Sequence, residues 1–225
     1  MSYTGEVTPG GPAEVRDEGT LVIRKASVSD FDNGVYLLTC AATGEQLLID
    51  AAADADRLTQ LVAEGAANGD DTPKLATIVT THRHHDHTRA LAELAASTGA
   101  TTVAGVDDAE ALPIPMDRAV SHGDTISVGE QALDVIALRG HTPGAIALAW
   151  TAPDGRVHLF TGDSLFPGGP GKTNSPEDFT SLMNDLEERV FDVYGDDTWV
   201  YPGHGKDTTL GTERPSLPEW RSRGW

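Results

Sequence analysis

The apolar stretch KLATIVTTH (74–82) runs without a break into HRHHDH (82–87). Four of the chain's eight histidines and one aspartate fall within those six residues. The stretch before them is rich in β-branched residues and reads as a buried strand. A strand that ends in imidazoles and a carboxylate marks one end of a sheet as the place where polar donors gather. Imidazole nitrogen and carboxylate oxygen are donors that zinc, iron and manganese accept. His82 and His84 stand two apart, and Asp86 and His87 follow at once, so a single loop aims several donors at one small volume. The bland alternative is a solvated histidine-rich loop or a tag. A tag would sit at a terminus and carry no aspartate, and no strand would feed it.

The rest of the chain alternates strands with helices. Strands are predicted over 20–28 and over 33–52, the latter folded at a Thr-Gly turn at 43–44. A helix follows over 54–69, with Asp54 or Asp56 as cap and Leu58, Leu61 and Val62 as its apolar stripe. An Ala/Leu-rich helix covers 88–98 and ends at Gly99. A strand and short helix share 101–112, and two strands meet at Gly129 within 124–140. Further strands are predicted over 145–150, 156–166 and 198–205. The segment 175–195, opened by Ser175 and Pro176, is the clearest helix. Residues 1–19 are polar and rich in Gly and Pro and read as a flexible segment. The tail from Glu213 onward reads as irregular. At 225 residues, 39% of them apolar, the chain fits one compact α/β domain over 20–225.

Charge and cysteine content narrow the partners. Sixteen Lys and Arg against 35 Asp and Glu give a formal net charge of −19. Such a field repels polyphosphate, so neither nucleic acid nor an anionic membrane is an expected partner. Cys40 is the only cysteine, which excludes an intrachain disulfide and suits a reducing compartment. With no signal-like N-terminus and no long apolar run, a cytoplasmic protein is expected.

Three more strand ends carry polar tips: ALRGHTPGA with His141, HLFTGDSLF with Asp163, and WVYPGHG with His204. Each is flanked by glycine, which lets the backbone turn sharply beside a metal. Alone, each is more often a surface or hydrogen-bonded residue. Together with the first loop they supply five histidines and two aspartates, enough for two metal ions with one bridging carboxylate.

THRHHDH with GHTPG, TGDSLF and PGHG resembles the metallo-β-lactamase fold superfamily of hydrolases, over about residues 20–215. The resemblance implies a four-layer αββα sandwich with metals at one edge between the sheets. It implies that His82, His84 and His141 bind one divalent ion, that Asp86, His87 and His204 bind a second, and that Asp163 bridges. Zinc is the expected metal, with iron or manganese as alternatives. His85, His122 and His158 match no ligand position.

Within the superfamily the chain looks most like the short glyoxalase II-like group. A metal-bound hydroxide would then attack a small-molecule thioester, with Asp86 orienting it. Lys172, in the segment aligned with the family's substrate loop, would pair with a substrate carboxylate. Two departures stand out. Only 21 residues follow His204, too few for the C-terminal domain that holds glutathione in longer members. DHTRA replaces the common DHxGG, so Thr88 and Arg89 reshape the start of the following helix. Persulfide dioxygenases resemble the same subgroup and would use His82, His141 and Asp163 around one iron; lactonases are a third branch. A non-enzymatic metal-binding domain is the remaining reading, opposed by the open coordination positions that such a ligand set leaves.

Overall fold

The structure, a computed structural model, describes residues 3–66 and 74–224. Its first sheet has seven strands in chain order: β1 (Glu14–Asp17), β2 (Leu21–Val28), β3 (Asn33–Cys40), β4 (Glu45–Ile49), β5 (Lys74–Thr80), β6 (Thr101–Gly105) and β7 (Arg118–Val120). Pairing is antiparallel from β1 to β4 and parallel from β4 to β7. Helix α1 (Ala55–Glu64) connects β4 to β5, α2 (Leu91–Thr98) connects β5 to β6, and the short α3 (Val106–Ala109) leaves β6. Parallel neighbours need crossovers of this kind.

The second sheet contains β8 (Thr125–Val128), β9 (Gln131–Ala137), β10 (Ile146–Thr151) and β11 (Val157–Gly162). A small hairpin of β12 (Leu165–Phe166) and β13 (Gly169–Pro170) follows, then α4 (Pro176–Leu186). Strand β14 (Trp199–Pro202) pairs parallel with β11, and β15 (Thr208–Thr209) closes that edge. Helices α5 (Leu210–Glu213) and α6 (Leu217–Arg223) end the chain.

Side-chain alternation explains the layering. On β3, Tyr36, Leu38 and Cys40 join the core between the sheets, while Val35 and Leu37 face α1 and α2. On β10, Ile146, Leu148 and Trp150 point into that same core, while Ala147 and Ala149 face α4 and α6. Both faces of the central strands are buried, so they read as continuous apolar runs rather than as alternating ones. The result is the expected helix–sheet–sheet–helix sandwich.

Several boundaries differ from the sequence expectation. Of the helix expected over 54–69, residues 55–64 are helical and 67–69 lie outside the described residues. Asp54 holds the cap position in a left-handed conformation and makes no side-chain cap bond; its carboxylate accepts instead from the Ser29 amide at 3.0 Å. The 156–166 strand breaks at Asp163 and Ser164, because Gly162 turns at φ 49°. Part of the N-terminal segment expected to be flexible is placed against the sheet: residues 14–17 form β1, and Tyr3 packs on Trp199 and Tyr201. The tail expected to be irregular is largely helical. Its prolines sit in first turns, where they fit, and Trp220 is buried against Phe191. The strongest helix signal holds: Ser175 Oγ accepts from the Asp178 amide at 3.0 Å, with Pro176 at the first helical position.

Candidate metal centre

The polar residues singled out above emerge from one end of the sandwich. The loop after β5 carries residues 82–87, the β9–β10 turn carries His141, and Asp163 and His204 follow the ends of the parallel pair β11 and β14. Backbone hydrogen bonds tie these loops across the two sheets. The Ile146 amide donates to the Thr81 carbonyl at 2.9 Å, the Gly203 amide to Gly162 at 2.7 Å, and the Gly34 amide to Gly203 at 2.8 Å. At Gly203 only glycine fits, since a Cβ would stand 2.1 Å from Asp163 Oδ1.

Three overlapping donor groups result among the described residues: Asp50 with His82 and His87, whose carboxylate already accepts from Thr81 and His87, and two others. His82, His84 and His141 offer donor atoms within 4.8 Å of one another, and so do Asp86, His87 and His204. Asp163 lies between the clusters. Its Oδ2 is 3.5 Å from His141 Nε2, 3.9 Å from His82 Nε2 and 3.4 Å from His204 Nε2, and its Oδ1 is 3.3 Å from His87 Nε2. All seven sequence candidates for metal binding therefore meet in one place. Lys172 stands at its margin. Its backbone carbonyl accepts from His141 Nδ1 at 2.7 Å, and its exposed side chain lines a cavity of about 310 Å³ with Phe179 and Arg223. His85 and His122 are exposed, and His158 is buried elsewhere beside Tyr201.

The far side of each ring fixes its orientation. His141 Nδ1 faces the Lys172 carbonyl and His204 Nδ1 faces the Phe31 carbonyl at 2.8 Å; carbonyls only accept, so both Nδ1 atoms carry hydrogen. His87 Nδ1 donates to Asp50 Oδ2 at 2.9 Å. Thr81 Oγ1 donates to the same Asp50 oxygen at 2.8 Å and so accepts from His82 Nδ1 at 3.0 Å. Four Nε2 atoms are thereby turned inward. Those of His82 and His141 are buried without a hydrogen-bond partner among the described residues, and those of His87 and His204 face each other at 3.1 Å. Inward-facing Nε2 atoms beside a carboxylate are the donor set a divalent cation requires once each has shed its proton, and outward Nδ1–H bonds are its usual support.

Electrostatics agree with this geometry. Burial works against charge on His87, but the Asp50 and Asp163 carboxylates outweigh it and push its pKa up to about 10. Burial would raise Asp163, yet the His204 and His87 rings, 3.4 and 3.3 Å away, hold it well below the usual carboxylate range. Burial and the neighbouring His87 push His82 well down, and burial also lowers His141. The centre thus has a negative focus around Asp163 with neutral imidazoles on its flank. A field that retains a proton on His87 also favours a metal cation.

Sequence reasoning missed Asp50, Thr81 and Asn33. Asp50 is 1% exposed and stands just past β4 at φ 61°. It receives the Thr81 amide at 2.7 Å as well as the Thr81 and His87 side chains. Its signal was present: LLID is another buried strand ending in a carboxylate. Asn33 Nδ2 donates to Asp86 Oδ2 at 3.1 Å; nothing in its local sequence marks it. The unusual Arg89 turns outward over the Phe31 ring at 5.1 Å, and Thr88 is buried with its hydroxyl bonded to the His85 carbonyl.

This fold and this gathering of histidines and aspartates define the class. Residues 31–204 match the family model of the metallo-beta-lactamase superfamily, and the chain belongs to that family. Among curated proteins it is similar to the hydroxyacylglutathione hydrolase of Fuscovulum blasticum, 39% identical over 141 residues, which cover 63% of this chain and 51% of that protein. The hydroxyacylglutathione hydrolase of Polaromonas sp. is 34% identical over 175 residues, covering 77% and 62%. The chain therefore spans little more than half the length of these relatives. Among solved structures, ETHE1 from Myxococcus xanthus superposes with a TM-score of 0.73 at 30% identity, covering 89% of this chain and 84% of that one. TTHA1623 in a di-iron-bound form gives 0.69 at 27%, covering 87% and 98%. A metallo-beta-lactamase from Staphylococcus aureus gives 0.75 at 23%, covering 89% and 62%, a likeness of fold.

Proposed function

We propose that this chain is a metal-dependent hydrolase of small thioesters. His82, His84 and His141 would hold one divalent ion, Asp86, His87 and His204 would hold a second, and Asp163 would serve both. Zinc is the proposed metal. The observation that carries the reading is the convergence of both clusters on Asp163, whose Oδ2 is 3.5 Å from His141 and 3.4 Å from His204. The curated relatives' name, hydroxyacylglutathione hydrolase, supports the thioester as substrate class, and the di-iron form of TTHA1623 supports two ions.

Two such ions would supply Lewis acidity at a carbonyl oxygen and a water acidified toward neutral pH. The chain's own residues do the rest. Asn33 fixes Asp86 Oδ2, the oxygen that also stands 3.3 Å from His204 Nε2, and so aims the carboxylate at the second cluster, where it would orient a water. Asp50 and the Phe31 and Lys172 carbonyls lock the imidazoles in the tautomer that points Nε2 inward. The leaving thiolate needs little acid assistance, so no buried proton donor is demanded. The Lys172 ammonium reaches the acidic end of the substrate from the cavity it shares with Phe179 and Arg223.

Hydrolysis of S-D-lactoylglutathione and simpler acidic thioesters by the metal-loaded protein tests this reading. Activity should vanish with chelator and return with zinc. Asp163→Ala should lose both metal and activity, and Lys172→Ala should raise KM for acidic thioesters with metal content unchanged. Full activity in chelator would end the proposal, and two retained ions in Asp163→Ala would end the bridging assignment.

One second reading rests on a specific observation. His82 and His141 Nε2 both face Asp163 Oδ2, at 3.9 and 3.5 Å, which is also the two-histidine, one-carboxylate set of a single-iron persulfide dioxygenase. Oxygen uptake with glutathione persulfide, absent with thioesters, would select it.

A further inference from the structure

Asp108 lies outside every segment that carries a metal-facing residue, yet it is one of the most completely bonded carboxylates in the molecule. It sits on α3 with 0% exposure. One oxygen, Oδ2, accepts from the backbone amide of Arg83 at 3.0 Å and from the Thr142 hydroxyl at 2.5 Å. The other, Oδ1, accepts from the Gly144 amide at 3.0 Å, with Arg83 Nε 3.6 Å away. Arg83 is the residue between His82 and His84, and Thr142 directly follows His141. One buried anion therefore grips the two loops that bring these three histidines together.

The backbone is built to let Asp108 in. A Cβ on Gly105 would stand 2.0 Å from the Gly144 carbonyl oxygen, and one on Gly144 would stand 2.3 Å from the Asp108 amide nitrogen. The β6–α3 junction and the His141 loop thus touch backbone to backbone, a distance only glycine permits. A side chain at either glycine would push the loops apart and carry the carboxylate out of reach. Asp50 serves the other side of the centre, through Thr81 and His87.

We infer that Asp108 is a positioning residue that sets the spacing of His82, His84 and His141, and so governs one of the two metal sites selectively. The inference rests on the metal-site reading given above. Asp108→Asn keeps the volume but replaces one acceptor oxygen with a donor. That NH₂ must then face the Gly144 amide or the Arg83 amide, each of which can only donate. Facing Gly144, the NH₂ breaks the hold on the end of the His141 loop; facing Arg83, it breaks the hold on the His82–His84 loop, so either way one side of the grip is replaced by a donor–donor clash. Outer partners of metal ligands typically change affinity by about 10–100-fold.

The test is a cobalt(II) titration of the full chain, followed by visible absorption and by competition with a chelator. His84→Ala and His204→Ala serve as references for the spectrum of each site. For Asp108→Asn the expected result is at least ~10-fold weaker binding in the spectrum that His84→Ala removes. The spectrum that His204→Ala removes should persist. Thr142→Val cuts only the hydroxyl arm and should weaken the same site to a smaller degree, which keeps the inference testable if Asp108→Asn does not fold. Equal weakening of both sites, or none in either variant, overturns the role of Asp108 while leaving the metal centre standing. Failure of the unmodified protein to take up cobalt overturns the metal reading and this inference with it.

Discussion

At the scale of single residues, what distinguishes the centre is the direction in which each polar group is held. His82, His87, His141 and His204 all spend Nδ1 on a partner behind them and present Nε2 in front. His158 is a useful contrast. It is fully buried, its Nδ1 bonds to the Tyr201 hydroxyl at 2.9 Å, its Nε2 stands 3.6 Å from a single carboxylate, that of Glu18, and it belongs to no metal-binding group among the described residues. Burial, reinforced by the nearby positive charges of Arg16 and Arg156, pushes its pKa down to about 3 from an ordinary 6.5. The folded protein therefore refuses a proton that the unfolded chain accepts. Stability from this group is complete above pH 6.5 and drains away as pH falls from there toward 3. In the window the slope is at most about 1.4 kcal/mol per pH unit. Urea unfolding in chelator between pH 4.5 and 7 should show a steeper acid loss for the unmodified protein than for His158→Gln. Parallel profiles would mean that His158 titrates normally. The residues that the sequence revealed were those clustered in one run or set between glycines. Asn33 and Asp108 were not legible, because their importance lies in partners 53 and 25–36 positions away that only the fold supplies.

At the scale of elements, the strand ends do the assembling. The inner strands were readable because both faces are apolar, and their order of burial fixes where each loop emerges. The ends were less readable. The run 156–166 looks continuous in sequence, but Gly162 breaks it so that Asp163 turns inward. The tail looked irregular because its prolines read as breakers, whereas each fits the first turn of a short helix anchored by Trp220. Gly203 has room for no Cβ between Asp163 and His87. Gly203→Ala should cost about 1–3 kcal/mol of stability through overpacking and should lower metal content. Elemental analysis alongside thermal unfolding checks both, and an alanine variant with full metal and an unchanged midpoint would refute the packing argument.

At the scale of the whole molecule, the metal end is braced from outside by a second polar knot. Lys25 on β2 is 0% exposed and donates to the Gly5 carbonyl at 2.8 Å, the Gly205 carbonyl at 2.7 Å and Asp207 at 2.5 Å. Asp207 also receives the Tyr3 hydroxyl at 2.8 Å and the Trp199 indole at 2.9 Å. N-terminal segment, first sheet and His204 loop are thereby joined. Nothing in the sequence around Lys25 announced a buried ammonium, since its partner lies 182 positions on. Removing one partner of such a pair leaves an uncompensated charge, so Asp207→Ala should lose about 3–5 kcal/mol in urea unfolding. Stability equal to the unmodified protein would show that the knot is ornamental.

Two donor clusters sharing Asp163 should hold two ions. Elemental analysis of untagged protein, expressed with zinc, iron and manganese all supplied, addresses it most directly. The expected result is two divalent ions per chain, falling below two when Asp163 is replaced by alanine. One iron per chain, or none of any metal, would contradict it.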